Sequence, residues 1–522
     1  MNAKAAIAQT LWAAGNLVEA KRFAAALRNP EETQTAWLRQ RIAADADSEF
    51  GRAHDFSAIQ NHRDFAQNVP LREWRDFSPW IDRIRAGEKH VLGAEPVSHL
   101  APTSGSSGAR KLIPFTPALH RSFAAAVGAW MSDLARREPK ILLGPVYWSI
   151  SPLTGDEEDE RGGVRVGFAD DADYLGGWQA RLARWAMAVP SEIRHEQDID
   201  VFWFRTAASL LARRDLRLIS VWHPSFLDLI LRAAARDWDR LLATLPKRRA
   251  AELRRASPDQ PSAWWPALRV ISCWGEQAAA PGRHELARKF PACLVQAKGL
   301  LATEAVVTIP WRGQYPLAIR SHFFEFLSEA GDILLAHELE RGKTYEVIVT
   351  NGGGLWRYRL GDMIECTGHC ERTPTLRFLG RAGNVSDLCG EKLSEPFVAG
   401  VLDALWPDAA RRPETAWLRP FSGADGAGYE LVVSRPVLDA LLEALDHRLR
   451  ENPHYDLARR LGQLLPPRAC IEPDTAPGSD PDDPRRLGDI KPLVLQVSRQ
   501  LRCHPLHEET ENGGPSVLDS AR

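Results

Sequence analysis

Apolar side chains in the first 95 residues recur at helical spacing, at Leu11, Leu17, Phe23 and Leu27 and then at Trp37, Ile42 and Phe50. That pattern predicts amphipathic helices with these positions facing a core. Between residues 96 and 116 the pattern changes to two short extended segments flanking a Gly/Ser stretch. Thr116-Pro117 then supplies a capping hydroxyl before a proline, which predicts a helix start, with the helix running to about Arg137. Ile141–Ile150 reads as a strand, and Gly155–Gly163 as an acidic surface loop. From 199 to 310 helical stretches alternate with apolar strands, clearest at Leu216–Trp222 and Leu268–Trp274, the order expected of α/β layers. Residues 318–385 are strand-rich. A smaller α+β unit follows, with a strand at Tyr429–Val433 and a helix near Leu438–Glu451. Residues 471–486, rich in Pro and Asp, predict a mobile loop, and 505–522 a disordered tail. No internal repeat is present.

The chain of 522 residues is 44% hydrophobic and 26% charged, the proportions of a globular protein large enough for several cores. Lys plus Arg is 66 and Asp plus Glu is 68, which argues against a nucleic-acid binder and a polybasic membrane anchor. No apolar run approaches the ~18 residues of a membrane helix. The N-terminus lacks the continuous apolar segment of a signal peptide, so a cytoplasmic protein is expected. The seven cysteines are scattered and odd in number, a reduced-thiol pattern. Only 11 of the 66 basic residues are lysine, so a lysine kept inside a motif is a candidate for chemistry.

The strongest motif is Thr103–Lys111, TSGSSGARK. Gly105 and Gly108 let the backbone turn and present N–H groups; Ser104, Ser106 and Ser107 add hydroxyl donors and Lys111 a positive charge. Such a loop cradles a polyphosphate. It is not a Walker loop, because KLIPFT after it reads as a strand. A Ser/Gly-rich linker is the alternative, but linkers rarely place a lysine and a strand immediately afterwards. Cys366, His369 and Cys370 have metal-ligand types, yet three ligands in five residues do not converge on one ion, and no second cluster completes a zinc site.

The TSGSSGARK motif resembles the phosphate loop of the acyl-adenylate-forming superfamily, and four further segments follow in that superfamily's order. Ile271–Glu276 occupies the adenine-pocket position, with Trp274, Gly275 and Glu276 at a strand end. Leu300–Glu304 resembles the segment in which Thr303 would contact phosphate and Glu304 ligate Mg2+; Leu300 stands where the family has Tyr. Tyr358–Asp362 resembles the ribose-binding motif, with Asp362 just past a strand. Phe378–Arg381 resembles the segment before the hinge, Arg381 contacting ribose or phosphate, although Gly383 replaces the expected Asp.

Longer stretches are similar to the Gretchen Hagen three family of acyl-acid amido synthetases: VWHPSFLDLIL (221–231), WPALRVISCWGE (265–276), RSHFFEFL (320–327), GGGLWRYRLGD (352–362), GRAGNVSDLCGEKLSE (380–395) and RRLGDIKP (485–492). The Arg/Ala-rich composition and short loops resemble bacterial members. The resemblance implies a large multi-layer α/β domain over residues 1–384 and a smaller mobile α+β domain over 385–504. It also implies two further lysines. Lys392 would face the α-phosphate, unless it pairs with Glu391 or Glu395, and Lys491 would swing over the adenylation site.

The activity implied is ATP- and Mg2+-dependent adenylation of a small carboxylic acid, followed by transfer of the acyl group to an amino acid amine. An acyl-CoA synthetase and a non-catalytic acid- or adenylate-binding protein are the alternatives. An aromatic or other apolar acid is expected, with Phe123, Val127, Trp130 and Trp148 as pocket walls. His322 either lines the site or is a satisfied structural histidine. Neither nucleic acid nor a membrane is an expected partner, and a monomer is expected.

Overall fold

The computed structural model describes residues 3–103, 111–149, 164–166, 182, 184–276, 279–383, 385–406, 413, 416–423, 426–472 and 495. The serine and glycine residues of the motif (Ser104, Gly105, Ser106, Ser107 and Gly108), the acidic stretch 155–163, Lys491 and the tail from 505 lie outside them.

In chain order the strands are β1 (His99–Thr103), β2 (Lys111–Phe115), β3 (Val146–Trp148), β4 (Arg165–Val166), β5 (Leu218–Ser220), β6 (Val270–Cys273), β7 (Leu294–Ala297), β8 (Phe323–Ser328), β9 (Ile333–Leu335), β10 (Thr344–Thr350), β11 (Tyr358–Cys370), β12 (Thr373–Arg381), β13 (Val385–Ser386), β14 (Leu393–Ser394), β15 (Ala416–Gly423), β16 (Gly426–Val433) and β17 (Arg468–Ile471). A four-stranded parallel sheet has the order β3-β5-β6-β7. A five-stranded antiparallel sheet has the order β12-β11-β10-β8-β9. β1 and β2 pair antiparallel, with Thr103 opposite Lys111 at the mouth of the motif. This is the expected α/β class.

The helix Pro117–Arg137 begins as its sequence dictates: Thr116 Oγ1 accepts from Leu119 N (3.2 Å), and proline occupies the first turn, where its missing N–H costs nothing. The same hydroxyl donates to Gly352 O (2.7 Å), tying the helix start to the turn before β11. The N-terminal helix Ala3–Ala26 is rotated from its expected phase. Leu11 is 55% and Leu17 43% exposed, whereas Ala5, Ala8, Trp12, Asn16, Ala20 and Phe23 are buried. Alanines permit closer approach to Pro117–Arg137 than leucines would. A Cβ added to Gly128 of that helix would meet Asn16 Oδ1 at 2.4 Å. The strand expected over Ile141–Ile150 is shorter, because Pro139–Leu143 forms a 3-10 turn and pairing begins only at Val146.

The apolar interior divides into three cores, the third built from residues between Leu388 and Leu495, among them Leu393, Leu402, Leu418, Tyr429 and Leu445. The C-terminal region also reaches the second core through Leu461, and Gln463 Nε2 donates to Ser225 Oγ (2.8 Å). The six described cysteines are free thiols. Among the described residues no helix is long and apolar enough to cross a membrane.

Candidate functional site

All four strands of the parallel sheet point their carboxyl ends to one edge, where an open α/β sheet leaves a crevice for ligands. Trp274, Gly275 and Glu276 leave the end of β6 there. Trp274 N donates to Trp222 O (2.7 Å), fixing the turns after β6 and β5 together. The Trp274 indole meets Phe378 edge-on, with centroids 5.5 Å apart, and Gly275 is buried. Glu276 Oε2 accepts from Phe378 N (3.0 Å), joining this edge to β12 of the antiparallel sheet. Burial pushes the Glu276 carboxyl up to about 7.

The chain leaving β7 turns at Gly299 and arrives at half-buried Thr303 and buried Glu304. Asn351 Nδ2 donates to Glu304 O (2.8 Å), fixing the backbone. The Glu304 side chain makes no hydrogen bond or ion pair among the described residues, although the residue is only 4% exposed. Leu300, in the position where the resembling superfamily carries an aromatic residue, packs into the large core.

β11 brings the remaining groups together. Its start is anchored by Arg357, whose guanidinium donates twice to Glu325 at 2.9 Å. Asp362 lies within β11, not just beyond a strand. The register with β10 shifts at Glu346/Ile348, so the chain between Arg359 and Met363 bulges, and Gly361 (φ 78) takes a left-handed conformation that a Cβ would oppose. Asp362 pairs in register with Arg381 of β12, and Arg381 Nε lies 3.6 Å from Asp362 Oδ1. A second Arg381 nitrogen donates to Leu360 O (2.8 Å). Lys111 Nζ donates to Tyr358 Oη (3.0 Å), so the lysine that ends the motif reaches the strand that carries Asp362.

These charges act on one another. Burial pulls the Lys111 ammonium pKa down, Glu304 raises it, Arg381 and Lys392 lower it further, and Asp362 opposes them. Burial raises the Asp362 carboxyl pKa against Arg381 and Lys392. For Arg381, burial is outweighed by Asp362 and Glu304, which hold the guanidinium above its ordinary value. Five residues distant in sequence, Lys111, Glu304, Asp362, Arg381 and Lys392, therefore share one electrostatic cluster with two negative and three positive members.

Lys392 is half-buried and adopts φ 48, an uncommon conformation for a lysine and one that persists where the surroundings impose it. Glu391 turns the other way. Its carboxylate accepts from Leu388 N (2.7 Å), Cys389 N (2.8 Å) and Tyr429 Oη in the third core, so it is not the partner of Lys392.

The expected acid-pocket residues separate into two groups. Trp130 Nε1 donates to Gln296 Oε1 in β7 (2.9 Å), and Trp148 ends β3, so both lie by the carboxyl edge; Val127 is half-buried on the same helix as Trp130. Phe123 and His322 pack together in the interior, with centroids 6.1 Å apart. His322 is fully buried, its Nε2 accepts from Val306 N (3.1 Å), and burial pushes it down to about 3, so it is a neutral backbone acceptor. Among the described residues no group of three His, Cys, Asp or Glu side chains could hold a metal, Cys366–Cys370 included. Sequence reasoning passed over Tyr358 as a partner of Lys111.

Residues 19–252 match the GH3 family N-terminal domain and residues 315–381 the GH3 family central domain. The indole-3-acetic acid-amido synthetase GH3.4 of Arabidopsis thaliana is 22% identical over 434 residues, covering 70% of each chain. Among solved structures, an AtGH3.15 acyl acid amido synthetase in complex with 2,4-DB superposes with a TM-score of 0.64 at 16% identity, over 91% of this chain and 93% of that one. A 2-hydroxyisobutyryl-CoA ligase in complex with 2-HIB-AMP and CoA has a TM-score of 0.54 at 13% identity, over 90% of each chain. Motif order, a shared fold and domain matches at both ends of the site agree, and the chain belongs to the GH3 family.

Proposed function

We propose that the protein is an ATP-dependent ligase that adenylates a small carboxylic acid and transfers the acyl group to the amine of an amino acid, forming an amide. The observation that carries this reading is the shared cluster of Lys111, Glu304, Asp362, Arg381 and Lys392 beside the crevice edge. A carboxylate is a poor acyl donor, because hydroxide or oxide leaves badly. Attack of the acid's oxygen on the α-phosphate of ATP forms an acyl-phosphate bond and expels pyrophosphate. Lys111, Lys392 and the donors of residues 104–108 offset the charge that develops on the phosphate oxygens. Asp362 accepts from the ribose hydroxyls, Arg381 holds that carboxylate and faces ribose or phosphate, and Trp274, Gly275 and Glu276 bound the adenine. Thr303 contacts phosphate.

A magnesium ion fits this donor set: the buried Glu304 carboxylate has no hydrogen bond among the described residues, and a hard cation on phosphates uses one or two carboxylates. Glu304 would hold it, and the ion would neutralise phosphate charge. In the second half-reaction the amine attacks the acyl carbonyl, loses a proton, and AMP leaves.

The large domain spans 1–384 and a mobile domain 385–504, which brings Lys491 to the α-phosphate during adenylation; the tail is 505–522. The acid has an aromatic or apolar body. The protein works as a cytoplasmic monomer, in keeping with its free thiols. The test is a matrix of acids and amino acids scored by pyrophosphate release and product mass. Amide products support the reading; thioesters formed only with CoA, or nucleotide binding with no product, overturn it.

A further inference from the structure

Lys111, the first residue of β2, meets Tyr358, the first residue of β11, in the interior. The two are 6% and 1% exposed, and Lys111 Nζ donates to Tyr358 Oη across 3.0 Å. The phenol is held in place by its strand and its ring. Its backbone pairs with Val349 of β10 and bridges to Arg72, and the ring meets Phe77 edge-on with centroids 5.9 Å apart. A phenol oxygen both accepts and donates. Tyr358 Oη accepts from Lys111, but its own proton has no acceptor among the described residues. Burial, helped by Glu304 and opposed by Arg381, holds the phenol pKa well above its ordinary value, so the proton stays in place at neutral pH. Holding Lys111 uses only a lone pair of the oxygen, and buried donors are rarely left without a partner.

This hydroxyl lies within the candidate nucleotide site. Glu304, Arg381 and Asp362 all act electrostatically on Tyr358, as they do on Lys111. Glu304 and Asp362 are carboxylates, yet neither accepts the phenol proton. Lys111 donates one of its three N–H bonds to Tyr358 and makes no other hydrogen bond among the described residues. An ammonium and a hydroxyl with donors to spare, side by side at the end of a loop suited to phosphate, suit an anionic oxygen. A hydroxyl that accepts from an ammonium is also a stronger donor, because hydrogen bonds in series polarise one another. We propose that Tyr358 is a nucleotide-binding residue whose hydroxyl, polarised by Lys111, donates to a phosphate oxygen of the bound nucleotide. This inference rests on the ATP-using reading and adds a residue to it.

The test is calorimetric titration of the full chain with adenosine, AMP and magnesium-ATP, for the parent and for Tyr358→Phe, which keeps the ring against Phe77. The variant should bind AMP or ATP about tenfold or more weakly, the value of one hydrogen bond to a charged group, and adenosine as the parent does. Circular dichroism and melting establish that it is folded. A double-mutant cycle with Lys111→Met tests the polarised pair: the double variant should lose less than the sum of the single losses. Equal weakening of adenosine and AMP makes Tyr358 structural and overturns the proposal, as do unchanged AMP and ATP affinities in the folded variant, or additive losses in the cycle. A readout on the parent alone needs no variant: the tyrosine Raman doublet should move toward donor character with AMP and not with adenosine, and a doublet that AMP leaves unchanged overturns the proposal as well. A parent that binds no nucleotide overturns this inference and the ATP-using reading together. A parent that binds AMP and ATP beside a Tyr358→Phe that binds them equally well sinks only the role of Tyr358.

Discussion

Replacing Asp362 by Asn probes the nucleotide site where its groups are most tightly coupled. The carboxylate lies 3.6 Å from Arg381 Nε, and both side chains are at most 10% exposed. At that separation and an effective dielectric near 20 the Coulomb attraction is about 4–5 kcal/mol, opposed by the burial that raises the carboxyl pKa. Breaking a buried pair typically costs about 3–5 kcal/mol, and the Asn oxygen, still facing the guanidinium, keeps the loss at the low end of that range. The variant should therefore fold with a lowered denaturation midpoint. AMP should bind about 10- to 100-fold more weakly, because one charge-assisted hydrogen bond to the ribose, about 1.5–3 kcal/mol, is lost. Calorimetric titration with AMP and with 2′,3′-dideoxy-AMP separates a ribose contact from general damage. The parent protein should discriminate strongly between the two nucleotides and Asp362→Asn only weakly. A folded variant that binds AMP as the parent does, or that keeps the full discrimination, refutes the ribose assignment.

Glu304→Gln should abolish acid-dependent pyrophosphate release while sparing AMP binding, which needs no metal; equal loss of both would make Glu304 a structural residue. Glu276 gives a pH signature. Burial raises its carboxyl from 4.5 to about 7, so its contribution to stability is complete below about 4.5 and is lost as pH rises through about 7. Glu276→Gln, which keeps an acceptor for Phe378 N, should melt above the parent at pH ~8 and close to it at pH ~4.5, and a pH-independent difference between the two proteins would contradict the burial argument. Lys491→Ala should slow formation of the acyl-adenylate far more than amide formation from a supplied acyl-adenylate, because only the first step builds charge at the α-phosphate. Single-turnover kinetics of each half-reaction decide this; equal slowing of both removes Lys491 from adenylation.

Local chemistry made parts of the fold readable in advance. Thr116-Pro117 announced its helix because a cap hydroxyl and a fixed φ act within one turn. Within the strand-rich stretch 318–385, Thr344–Thr350 was readable because β-branched and aromatic residues run through it. The face of Ala3–Ala26 was misread because apolarity favours Leu11 and Leu17, whereas the close contact at Asn16 and Gly128 selects small residues. Asp362 was expected beyond a strand because a Gly suggests a turn; here Gly361 makes a bulge inside β11 instead. The tie of Tyr358 to Lys111 went unremarked because the two lie on different strands, and only folding brings them together.

The central claim, that the chain activates a carboxylic acid as its adenylate before any acceptor is engaged, is tested most directly by isotope exchange between pyrophosphate and ATP. The full-length protein, ATP, magnesium and one acid at a time suffice, with no amino acid and no CoA. The account predicts exchange that depends on the acid, that Glu304→Gln abolishes, and that yields an amide and AMP once an accepted amino acid is added. Exchange that proceeds without acid, or its absence across an acid panel in a protein that binds ATP, would contradict it.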